Sequence, residues 1–79
     1  MKAVLIVKGM IHEDGVDKFT LEMSFTGRSD GPHGTNIIVN PNLTASQTNQ
    51  QMTDAVKNFA LEQFGETLSN NDIVAQAFK

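Results

Sequence analysis

Cysteine, tryptophan and tyrosine are absent from these 79 residues, and proline occurs only twice. Without cysteine there is no disulfide to staple the chain and no thiolate to hold a metal, so stability must come from packing or from neighbours. A single core is only marginally stabilising at this length, so one domain (1–79) is expected, and association would help it. Basic residues are few, six against nine acidic, and they are scattered. A net charge of −3 with no basic patch argues against a surface that tracks phosphates, so no nucleic-acid partner is expected. Long apolar runs are missing too. Ala3 to Val7 is too short for a signal segment and far too short to span a bilayer, so no membrane partner is expected and the chain should stay where it is made.

Two patterns stand out. Ala3, Leu5, Val7 and Ile11 alternate with other residues on one arm, and Phe19, Leu21, Met23 and Phe25 do so on the next, with Asp14-Gly15 between them. Alternation across an Asp-Gly pair predicts a β-hairpin over 2–26. Thr20, Glu22, Ser24 and Thr26 give the second arm a polar outer face. On the first arm Val4, Ile6 and Met10 interrupt Lys2, Lys8 and His12, so that face wants a cover. Asn, Gln, Ser and Thr are plentiful, which favours a hydrogen-bonding surface over a deep apolar pocket.

A loop from Gly27 to Asn36 follows, rich in glycine, then a short β-branched strand over 35–40 whose two faces should not both meet solvent. Thr44 and Gln47 form a capping-box pattern, and Met52, Ala55, Val56, Phe59, Ala60 and Phe64 recur on one stripe before Gly65. A helix over about 45–64 is predicted, with a polar first part that projects from the body or meets another subunit. This start also accounts for Asn42-Leu43-Thr44, which matches a glycosylation sequon. Ile73 to Phe78 reads as a last strand. The expected fold is α+β, a two-layer domain with an antiparallel sheet of three to four strands and one helix on one face. Its opposite face is left partly bare.

Catalytic chemistry finds little footing. His12 and His33 are the only imidazoles, and their spacing from Glu13, Asp14, Asp17 and Asp30 fits no metal-ligand pattern, so neither metal nor cofactor is expected. Gly31-Pro32-His33-Gly34 precedes a strand rather than a helix, so it reads as a turn and not a phosphate cradle. No serine stands at a recognised nucleophile spacing. The residues expected to meet other chains are Val4, Ile6 and Met10 on one strand face, with Leu61 on the back of the helix.

Residues 36–78, and above all the run NLTASQTNQQMTDAVKNFALEQFG with its N-L-T-A-x-Q helix opening, resemble short proteins from the structural gene regions of tailed phages. The resemblance implies a non-enzymatic virion component, such as a capsid-decorating or head-tail accessory subunit repeated by symmetry. Partners would then be copies of itself or other phage structural proteins, and the location the virion or the host cytoplasm. A second expectation is a small acidic inhibitor of a host defence or nucleic-acid-handling protein. It would use Glu13, Asp14 and Asp17 at the hairpin tip, with Glu62 and Glu66 at the helix end, against a basic groove.

Overall fold

Asp14 and Gly15 have φ of 55° and 80°, the left-handed pair that a two-residue type I′ turn requires. This turn joins β1 (Ala3–Glu13) to β2 (Val16–Phe25), and the two pair antiparallel over nearly their whole length. The computed structural model describes residues 1–76. Beyond the hairpin it contains β3 (His33–Ile38), α1 (Ala45–Phe64), a 3-10 turn (Asn70–Asp72) and β4 (Ile73–Gln76). The sheet order is β3-β2-β1-β4, with the helix layered on one face, so the α+β two-layer reading holds. No helix is long and apolar enough to cross a membrane among the described residues.

Three details differ from expectation. β4 runs parallel to β1, not antiparallel. Since β3 and β1 both oppose β2, β3 already points along β1. The helix carries the chain back before β4 sets out, as a connection between parallel strands demands. β3 starts at His33 and ends at Ile38, because Met23 and Glu22 of β2 pair with His33 and Gly34 and draw the strand start back into the expected loop. For the last strand, Ala77 and Phe78 lie outside the described residues.

The third difference changes the faces of the sheet. Between Val7 and Gly9 the register of β1 against β2 slips by one residue, a β-bulge. Before it Ala3, Leu5 and Val7 lie opposite Phe25, Met23 and Leu21. After it Met10 lies opposite Phe19 and Ile11 opposite Lys18. A one-residue slip moves every later side chain to the other face. Met10 is therefore on the helix side of the sheet, and Ile11 on the outer side with Val4 and Ile6.

The helix ends are set as the sequence implies. Thr44 Oγ1 accepts from the Gln47 amide at 3.2 Å while the Thr44 amide donates to Gln47 Oε1 at 2.8 Å. Gly65 closes the helix at φ 68°. Met52, Val56 and Ala60 are buried against Leu5, Leu21, Met23 and Phe25, with Leu68 closing the core after the helix. Burying each large aliphatic side chain contributes about 1.5–3 kcal/mol. Phe59 and Phe64 from the second half of α1 meet Phe25 and His33, with ring centroids 4.9–6.1 Å apart. In the first half of the helix, Gln50 Oε1 accepts from Asn70 Nδ2 just before β4.

Candidate interaction face

Opposite the helix, the outer face of the sheet is built by alternation, broken once in β1 by the bulge between Val7 and Gly9. β1 presents Val4, Ile6, Lys8, Ile11 and Glu13; β2 presents Ser24, Glu22, Thr20 and Lys18; β3 presents Asn36 and Ile38; β4 presents Val74 beside Val4. Val74 and Ile38 are each 56% exposed, and Ile11 is exposed as well, while Val4 and Ile6 are half-buried by their neighbours in the sheet. Among the described residues no element covers this face. β3 lies in the plane of the sheet and covers neither face. The expectation that Ile37 to Val39 would not leave both faces to solvent holds: Ile37 packs against the core while Ile38 stays exposed, because one helix reaches only one side.

The charges on this face are paired. Lys8 Nζ lies 3.8 Å from Glu22 Oε2, and Lys18 Nζ lies 3.2 Å from Glu13 Oε1. The outer face is thus formally neutral, and the whole net charge of −3 resides on the rest of the chain.

Of the four residues expected at an interface, Val4 and Ile6 are brought together and gain Val74 as a neighbour. Met10 and Leu61 do not join them. Met10, 58% exposed, projects from the helix-side face beyond the reach of α1, and Leu61, 54% exposed, stands away from the sheet on the helix. Met10 instead helps line a shallow hollow of about 210 Å³ with Val7, Gly9 and Phe19. Ile11, Ile38 and Val74 were missed. Gly9, an isolated glycine inside a strand pattern, is the signal that could have disclosed the bulge and with it Ile11.

The histidines sit apart from this face. On the exposed hairpin tip, His12 Nδ1 and Asp17 Oδ1 are 2.8 Å apart. In the loop between β2 and β3, Arg28 donates through Nε to Asp30 Oδ1 at 3.1 Å and lies 3.8 Å over the Phe64 ring. The Arg28 hydrogen bond is the main cause holding the Asp30 carboxyl below its usual range. The loop backbone at Gly31 covers the edge of the His33 ring. His33 Nε2 is buried without a hydrogen-bond partner among the described residues, with Asp30 Oδ2 3.5 Å away. The Gly31–Pro32 peptide is cis. No group of three His, Cys, Asp or Glu side chains among the described residues comes together as a metal site.

Comparison with protein families, with curated proteins and with solved structures finds no match.

Proposed function

We propose that this chain is a non-enzymatic interaction subunit that works in several copies, as a decorating or accessory subunit of a phage particle would. The observation that carries the reading is the outer face, uncovered among the described residues, where Val4, Ile6 and Val74 form one apolar patch on the side of the sheet that α1 cannot reach. Apolar side chains grouped on an uncovered sheet face favour burial against another protein. The virion setting rests on the resemblance of residues 36–78 to tailed-phage structural proteins.

The acidic-inhibitor alternative draws less support. Glu13 pairs with Lys18, so one of the three tip carboxylates is already matched by a cation within the hairpin. A basic groove would meet a weaker field than the acidic count suggests.

Ile6→Asp tests the reading. The expected outcome is loss of association with other copies or with particles while the circular dichroism spectrum and melting stay cooperative. Unchanged association in the folded variant would contradict it. For the setting, purified particles should carry the chain at a fixed copy number, and particles free of it would remove the virion role.

A further inference from the structure

We infer that the occupant of the outer face is a second copy of this chain, packed face to face about a two-fold axis that crosses β1 near Lys8; this rests on the interaction-subunit reading. Three observations converge on it. The first is size. Strands of 11, 10, 6 and 4 residues, at about 3.3 Å per residue and about 4.8 Å between strands, give a face of roughly 500 Å² in projection. Side-chain relief adds to that, bringing it to the order of the ~800 Å² per partner in a standard interface.

The second is charge. Two copies that each carry −3 repel through most of their surfaces. The outer face is where that repulsion is least, because its two lysines and two glutamates are paired.

The third is the order of side chains along β1. Outward it reads Val4, Ile6, Lys8, Ile11, with apolar residues on both sides of Lys8. A two-fold axis in the plane of the interface and perpendicular to the strands reverses that order. It lays Ile11 of each copy over Val4 and Ile6 of the other. Such a surface is complementary to itself, which is the condition for a closed isologous pair. Both sheets then keep their strands within the small angle of aligned packing, about 10 Å apart. Near the axis, Lys8 of each copy also comes within range of the other copy's Glu22, so the ion pairs stay satisfied when water leaves.

The absence of cysteine makes the geometry testable with single introduced thiols. Thr20 lies beside Gly9 near the proposed axis, whereas Ser24 lies four residues along β2 toward the open end. Reversal about the axis brings Thr20 of each copy to about 10 Å from the other and separates the two Ser24 positions by roughly 25–30 Å. A bis-maleimide linker of about 10 Å is expected to join Thr20→Cys chains as dimers and to leave Ser24→Cys chains single. Equal linking at both sites, or linking at Ser24 alone, would overturn the orientation.

Exposed-site variants read the face itself. Ile11→Lys, at an exposed position laid over Val4 and Ile6 of the other copy, is expected to weaken self-association by roughly 100-fold, because it buries an unpaired charge. Leu61→Lys on the helix is expected to leave it unchanged. A wild-type chain that stays monomeric at every concentration, yet loses particle binding in Ile11→Lys, would overturn the second copy as occupant and keep the interaction reading. If Ile11→Lys alters neither association nor particle binding, both fall.

Discussion

Single residues divide here by which side of the sheet they face. Leu21 and Val56 have no exposed surface, and their partners come from both layers, so little can collapse into a void left at either. Leu21→Ala is expected to cost about 2–5 kcal/mol in urea unfolding, a large part of what a domain of this size has. Met10→Ala, on the same side of the sheet but beyond the helix, should stay within about 0.5 kcal/mol of wild type by the same measurement. Gly31 is a third kind of position. Its φ is 109°, and a Cβ there would lie 3.1 Å from His33 Cδ2, so neither the backbone nor the ring beneath accepts a side chain. Gly31→Ala should therefore cost about 1–3 kcal/mol and shift the ring resonances of His33 in an NMR spectrum. The glycine-rich run was legible as a turn. That its backbone would close over His33 was not, because the seat of Phe25, Phe59 and Phe64 is assembled from two distant elements.

Among the elements, α1 was readable nearly to the residue, since its ends are fixed by local chemistry: Thr44 and Gln47 cap one another, and Gly65 supplies the left-handed exit. Thr44→Ala should accordingly lower stability by about 1 kcal/mol. The segment into β4 is held by a carboxylate instead. Asp72 accepts from the Ser69 amide and hydroxyl at 3.0 and 3.1 Å, and the backbone bond is the first cause of its lowered pKa. A carboxyl lowered in the folded state stabilises fully above its unfolded value, about 3.9, and loses that contribution as pH falls through the folded value. Thermal melting followed from pH 7 downward should fall more steeply below pH of about 4 for wild type than for Asp72→Asn. Asp30 acts in the same direction through Arg28. β1 was the least legible element, and the reason is a single residue. Alternation assigns faces only while the register holds, and the extra residue between Val7 and Gly9 exchanged Met10 and Ile11 between them. The direction of β4 was equally hidden, since strand direction follows from where the helix delivers the chain and not from the strand's own residues.

At the scale of the whole molecule, a sheet with one α-helix among the described residues has one face more than that helix can cover. α1 covers the open half of the helix side, the hairpin extends past it, and the outer side keeps Val4, Ile6, Val74, Ile11 and Ile38 with its ion pairs closed. A small chain without cross-links, and with no second covering layer among its described residues, would gain most by burying that face against another protein. The pattern of Val4 and Ile6 showed in the sequence that a face wanted a cover. Its extent did not, because Val74 and Ile38 join it only through pairing between strands far apart in sequence. The most direct test is the mass of the wild-type chain by light scattering across a concentration series. The account predicts a rise from 8.6 kDa toward twice that value, with Ile11→Lys held at 8.6 kDa over the same range. A constant 8.6 kDa for wild type, with particle binding untouched by Ile11→Lys, would contradict it.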